Sequence, residues 1–127
     1  MGLYLGIDVG SITTKMAVLN EQDEVLAHVY LRNNGRPLEA IKKGLEQIES
    51  QLGVPSRIEG VATTGSARHL AAYLIGADLI KNEITAHAIA VMESFPEAKA
   101  IMEIGGQDSK VILLREGVVV DFAMNTV

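Results

Sequence analysis

The sequence predicts an α/β domain in which helices pack on a sheet of mixed strand direction. Three observations carry that prediction. The first three apolar runs are separated only by brief polar turns, so they pair antiparallel. Later runs alternate with stretches of helical periodicity, which supply crossovers between strands. The chain has 127 residues, 48% of them hydrophobic and 21% charged, which suits one domain with a buried core.

Residues 3–8 form a short apolar run that enters a turn at Asp8-Val9-Gly10-Ser11. Residues 15–19 form a second run. A polar turn at Asn20-Glu21-Gln22-Asp23 leads to a third, residues 24–31. Asn33-Asn34-Gly35-Arg36-Pro37 is loop chemistry, and Pro37 suits a first helical turn. Leu38, Ile41, Leu45, Ile48 and Leu52 recur every three or four residues, the stripe of an amphipathic helix. Gly53 stands where a helix C-cap glycine belongs, with Pro55 beyond.

Residues 58–64 predict a strand ended by Gly65, and Ser66 predicts the cap of a short helix through Leu74. Residues 75–80 leave room for a short strand. Asn82 or Thr85 caps a helix reaching Ser94, with Pro96 just past it. Residues 100–104 end at Gly105-Gly106. Residues 111–114 and 118–124 form a hairpin around Arg115-Glu116-Gly117. The order β-β-β-α-β-α-(β)-α-β-β-β is ribonuclease-H-like rather than a fully parallel sheet. Met16, Met92, Met102 and Met124 fall in apolar runs and are expected to fill the core.

Composition excludes several functions. The chain has no cysteine, so this stretch holds no disulfide, thiolate metal site, cysteine nucleophile or iron–sulfur ligand. A net charge of −5 argues against a general nucleic-acid or anionic-membrane surface. Aromatic residues are only 4%, too few for stacking on single strands. No apolar run approaches the ~20 residues of a membrane span, and the start lacks the basic residues of a signal peptide. A cytoplasmic location is the expectation.

The chain echoes itself. Asp8-Val9-Gly10-Ser11-Ile12-Thr13-Thr14-Lys15 matches Glu103-Ile104-Gly105-Gly106-Gln107-Asp108-Ser109-Lys110 at a constant offset of 95 residues. Acid matches acid, Gly10 matches Gly105, Thr14 matches Ser109 and Lys15 matches Lys110. Two copies of one hairpin device are expected. The second belongs to a second lobe that begins at residue 98 and is unfinished, with residues 1–97 forming the first lobe.

Such a turn gathers backbone N–H groups, hydroxyls and a cation, the groups a phosphate chain needs. Glycine permits positive φ and lets a phosphate approach bare backbone. Residues 10–15 are not a Walker A loop, because no glycine precedes Lys15. Asp8 at the strand end suits a Mg²⁺ ion held largely through water, and Asp108 suits the matching role. A plainer alternative stands beside this one: Asp8 bonds its own turn and Lys15 is a solvated charge. Glu83 and His87, four apart, can share a metal or a proton, or simply touch on a helix surface. Arg68 can meet a phosphate or stay solvated. His69 and His28 are expected at the surface.

These residues resemble a known family. Gly6-Ile7-Asp8-Val9-Gly10-Ser11-Ile12-Thr13-Thr14-Lys15 looks like the first phosphate loop of the ATPase activators of 2-hydroxyacyl-CoA dehydratases and benzoyl-CoA reductases, the BadF/BadG/BcrA/BcrD type. Four further stretches fit in order: Ala62-Thr63-Thr64-Gly65-Ser66-Ala67-Arg68, Glu83-Ile84-Thr85-Ala86-His87-Ala88, Ile104-Gly105-Gly106-Gln107-Asp108-Ser109-Lys110 and Phe122-Ala123-Met124-Asn125. Thr64-Gly65-Ser66-Ala67-Arg68 departs from the Gly-Tyr-Gly-Arg usual in relatives, which leaves the role of the Ser66 loop open.

The resemblance implies the fold of actin, hexokinase and the heat-shock chaperones, two ribonuclease-H-like lobes with ATP or ADP between them. It implies that Gly10, Ser11, Ile12, Thr13, Thr14 and Lys15 hold phosphates from the first lobe, and Gly105, Gly106 and Gln107 from the second. Asp8 would orient hydrated Mg²⁺, with Asp108 as its counterpart, and Gln107 or Asp108 would position the attacking water. It also implies a homodimer sharing a [4Fe–4S] cluster and passing an electron to a dehydratase or reductase component. The cluster's first cysteine is expected shortly after Asn125, outside this stretch. The chain therefore resembles the N-terminal part of an activator, weak or silent in nucleotide binding alone and without turnover. The alternatives are a sugar or N-acetylglucosamine kinase on the same fold, or a non-enzymatic interaction module.

Overall fold

The computed structural model describes residues 2–53, 57–105 and 108–126. The elements follow the predicted order: β1 (Leu3–Val9), β2 (Thr13–Leu19), β3 (Val25–Arg32), α1 (Pro37–Leu52), β4 (Ile58–Thr64), α2 (Arg68–Ile75), β5 (Leu79–Ile80), α3 (Glu83–Ser94), β6 (Ala100–Ile104), β7 (Asp108–Arg115) and β8 (Val118–Thr126). They gather into two compact units, Met1–Lys81 and Asn82–Val127.

The first unit is a five-stranded sheet of order β3-β2-β1-β4-β5. Short turns make β1–β2 and β2–β3 antiparallel. The α1 and α2 crossovers make β1–β4 and β4–β5 parallel. Alternation sends Leu5, Ile7 and Val9 of β1 and Met16 and Val18 of β2 to one face. There they pack with Ile41 and Ile48 of α1 and Ala71 of α2. Pro37 sits in the first turn of α1, and Gly53 closes it in the left-handed region, its N–H donating to Glu49 O at 3.2 Å. Pro55 lies outside the described residues. At the sheet's edge His28 is exposed. Its backbone N–H and C=O pair with the Gln51 side-chain amide at 2.9 and 2.8 Å, which blunts that edge.

Ser66 does not cap α2. The helix starts one residue later, with Ala67 at its N-cap and no side-chain cap bond. The Ala67 N–H donates to Val9 O at 3.0 Å and the Arg68 N–H to Gly65 O at 3.1 Å, so backbone carbonyls take the first donors of the helix.

The second unit holds α3 and a three-stranded antiparallel sheet of order β6-β7-β8. Asn82 caps α3, accepting from the Thr85 N–H at 2.9 Å. Ala88 packs against Ile112 and Leu114, with Ile84 and Met92 partly buried beside them. Those contacts group α3 with the second sheet. Met16 and Met92 fill core positions as expected, but Met102 and Met124 are 74% and 53% exposed. Met102, Ile104, Val111 and Leu113 lie on the sheet face opposite Ile112, and no described element of this unit covers them. Met124, across from Lys110, lies on β8, an outer strand of the sheet.

Candidate functional site

The β1–β2 hairpin brings most of the predicted site together. β2 starts at Thr13, so Thr13, Thr14 and Lys15 lie on the strand and only Gly10, Ser11 and Ile12 form the turn. The Gly10 N–H donates to Thr13 O at 2.9 Å and closes it. Asp8 pairs with Lys15, and Val9 with Thr14, across the ladder. The period of two then separates the side chains. Asp8 and Lys15 leave one face, where Lys15 Nζ lies 3.3 Å from Asp8 Oδ2 and donates to Thr13 Oγ1 at 2.9 Å.

Thr14 leaves the other face and is wholly buried. Its hydroxyl donates to Asn33 Oδ1 at 2.6 Å, so its side chain serves the turn and offers no hydroxyl at the surface. Asn33 is a residue that sequence reasoning passed over. Its amide donates to Gly10 O at 2.7 Å, and its backbone N–H to Ile12 O at 2.8 Å. The only signal was an asparagine in a loop next to a strand, which is indistinguishable from ordinary turn chemistry.

Positive φ is not used at Gly10 or Gly105. It appears at Gly65, where φ is 97°. At Gly10 an added Cβ would stand 3.3 Å from Thr13 O, so close approach is what glycine supplies there. At Gly65 an added Cβ would strike the Val9 carbonyl and lie 2.6 Å from Asp8 Oδ1. The β4–α2 turn therefore lies directly on the end of β1 and holds the Asp8 carboxylate against bare backbone. Arg68 braces that turn: its Nη1 donates to Gly65 O at 3.1 Å. Thr63 is buried and donates to Arg68 O at 2.9 Å. Thr64 Oγ1, on the Asp8 side of β4, is buried with no partner. A half-exposed carboxylate, an orphan hydroxyl and a glycine cradle fit a hydrated cation beside a phosphate.

The second hairpin repeats the closing bond, the ladder pairing and the lysine contacts of the first. The Gly105 N–H donates to Asp108 O at 2.8 Å. Glu103 pairs with Lys110 and Ile104 with Ser109 in the ladder. Lys110 Nζ reaches Glu103 Oε2 at 3.2 Å and Asp108 Oδ1 at 2.9 Å, the stations that Asp8 and Thr13 occupy around Lys15. Lys110 differs from Lys15 in being only 4% exposed and in having a third partner, Glu83 Oε2 of α3, at 3.3 Å. Burial pulls its ammonium down, but bonds from Asp108 and Glu103 and the charge and bond of Glu83 outweigh it. Lys110 is held above the usual lysine range.

Glu83 is thus engaged with Lys110, and a metal shared with His87 finds no support. Among the described residues no group of three or more His, Cys, Asp or Glu side chains is placed to hold a metal through protein ligands alone. Gly106 and Gln107 lie outside the described residues. No described helix is long and apolar enough to cross a membrane.

Comparison with known proteins agrees with this geometry. The chain is 30% identical over 129 residues to the (R)-2-hydroxyglutaryl-CoA dehydratase activating ATPase of Acidaminococcus fermentans, covering 98% of this chain and 48% of that protein. The solved activator of the 2-hydroxyisocaproyl-CoA dehydratase from Clostridium difficile, with bound ADPNP, superimposes with a TM-score of 0.87 at 29% identity. That match covers 98% of this chain and 46% of the activator. A ROK family glucokinase from Streptomyces griseus shares the fold at a TM-score of 0.64 and 12% identity, over 93% of this chain and 46% of the kinase. The chain therefore spans about half the length of these relatives. The family model for the BadF/BadG/BcrA/BcrD ATPase family matches residues 5–127, and the chain belongs to that family.

Proposed function

We propose that this chain is the N-terminal nucleotide-phosphate-binding part of an ATP-dependent electron-transfer activator of a 2-hydroxyacyl-CoA dehydratase-type enzyme. The observation that carries this reading is the repeated hairpin, in which the Gly10 and Gly105 N–H groups make matching closing bonds and a lysine bridges the acid and the turn exit in each. In this reading residues 1–97 belong to the first lobe of the intact protein and residues 98–127 begin the second, although in this chain α3 packs with the second sheet. The Gly10, Ser11 and Ile12 turn and Lys15 bind the phosphates of ATP or ADP, and Thr13 orients Lys15. Thr14 holds the turn through Asn33. Asp8 receives water of a hydrated Mg²⁺ ion, which neutralises phosphate charge when bound. Gly105, Gly106 and Gln107 serve the phosphates from the second turn, and Gln107 or Asp108 positions the attacking water.

An iron–sulfur cluster finds no ligand in this chain, which has no cysteine, so electron transfer requires residues outside it. The intact protein works as a homodimer on a dehydratase component. The kinase alternative has only the shared fold behind it, whereas the family match spans the chain.

Amide NMR titration of this chain with Mg²⁺ and ATP tests the reading. Millimolar binding should shift the amides of residues 8–15 and 64–65 first, with negligible phosphate release. Silence at millimolar nucleotide both in this chain and in the full-length protein that carries it overturns the reading.

A further inference from the structure

Thr64 ends β4 and is the ladder partner of Asp8 in the parallel pair β1–β4. Neighbours in a parallel ladder send their side chains to the same face, about 5 Å apart. Lys15 flanks Asp8 on its other side. The Thr64 hydroxyl is buried and unpartnered. The groups around it are occupied: the Thr63 hydroxyl serves Arg68 O, the Ala67 N–H serves Val9 O, and Arg68 serves Gly65 O. An orphan buried hydroxyl destabilises a fold and calls for a reason. Here the reason lies next to it. Gly65 holds Asp8 Oδ1 against bare backbone, so a carboxylate that can only accept hydrogen bonds sits beside a hydroxyl with free capacity.

We propose that Thr64 is a positioning residue of the nucleotide site, and that its hydroxyl and the Asp8 carboxylate together receive one water of the hydrated Mg²⁺ ion. A metal-bound water turns its lone pair to the ion and has two hydrogens to donate. Asp8 takes one and Thr64 Oγ1 the other. The inference rests on the reading of Asp8 given above and adds a second oxygen to it.

The test compares Thr64→Val, Thr64→Ala and Thr64→Ser in this chain by two measurements. In thermal unfolding without nucleotide, Thr64→Val should melt at or above the unsubstituted chain, because a methyl replaces an unsatisfied hydroxyl of the same shape. In amide NMR titrations with ATP, Thr64→Val and Thr64→Ala should bind about tenfold more weakly with Mg²⁺ and unchanged with EDTA. Thr64→Ser should keep the Mg²⁺-dependent affinity. If the unsubstituted chain responds to Mg²⁺ with ATP and Thr64→Val or Thr64→Ala responds equally, the Thr64 assignment is wrong and the Asp8 reading stands. If neither the unsubstituted chain nor the full-length protein that carries it shows a Mg²⁺-dependent response, both readings fall.

Discussion

The Thr14 hydroxyl donates to Asn33 Oδ1 at 2.6 Å, and both side chains are buried beneath the turn that carries Gly10. Asn33 passes that constraint on through its amide, which donates to Gly10 O. One loop asparagine thus fixes the turn from below. Asn33→Ala strands the Thr14 hydroxyl and the Gly10 carbonyl together, and should cost about 2 kcal/mol in urea unfolding. The same variant should weaken the NMR response to ATP, because the turn loses its support.

Lys15 presents the opposite case. Its pair with Asp8 is about a third exposed on each side, 36% and 33%, so solvent screens it. Lys15→Met should change the unfolding free energy by less than about 1 kcal/mol. It should also abolish most of the ATP response. A large stability loss with binding retained would make Lys15 a structural residue.

Lys110 should behave differently from Lys15 despite their matching stations. Lys110→Met leaves three carboxylates facing one another. Because these keep 23–32% exposure, the cost should be about 2 kcal/mol, below that of a wholly buried pair. Glu83→Gln should cost less, since two partners remain.

The same lysine predicts a pH dependence. Its folded pKa is raised, so its contribution is complete below the unfolded value of about 10.4 and is lost as pH climbs toward the folded value. The stability gap between the unsubstituted chain and Lys110→Met should be constant from pH 7 to 9 and shrink above pH 10.5. Denaturant titrations at stepped alkaline pH check this. A gap that widens there would contradict the sign.

Gly65→Ala should be the most damaging single methyl in the first unit. The residue would have to hold φ near 97° with its Cβ driven into the Val9 carbonyl. A loss of at least about 2 kcal/mol is expected in urea unfolding, with the amide shifts of Asp8 and Val9 displaced. Gly53→Ala, where nothing lies within 4 Å, should show strain alone and cost less.

The order of the elements was legible in the sequence, down to the exit of α1 at Gly53, while the short β5 and the choice of Asn82 over Thr85 as the cap of α3 were left open until the structure. Periodicity and turn chemistry are local, and local spacing is what a single chain displays. The hairpin repeat was legible for the same reason: its acid, glycine, hydroxyl and lysine recur at one offset, and equal spacing produced matching ladders and lysine bridges. The partners of those residues were not legible. Asn33 meets Thr14 across 19 residues, Gly65 presses on Asp8 and Val9 from the end of another strand, and Glu83 crosses from a helix to Lys110. Such pairings depend on which strands become neighbours and which face each side chain takes. The sequence by itself determined the elements, the repeat and the family. Only the tertiary structure decided that Thr14 turns inward, that Lys110 is buried and Lys15 is not, and that Thr64 is left with an unused hydroxyl. Those outcomes follow from long-range packing, where one step along a strand reverses the face a residue presents.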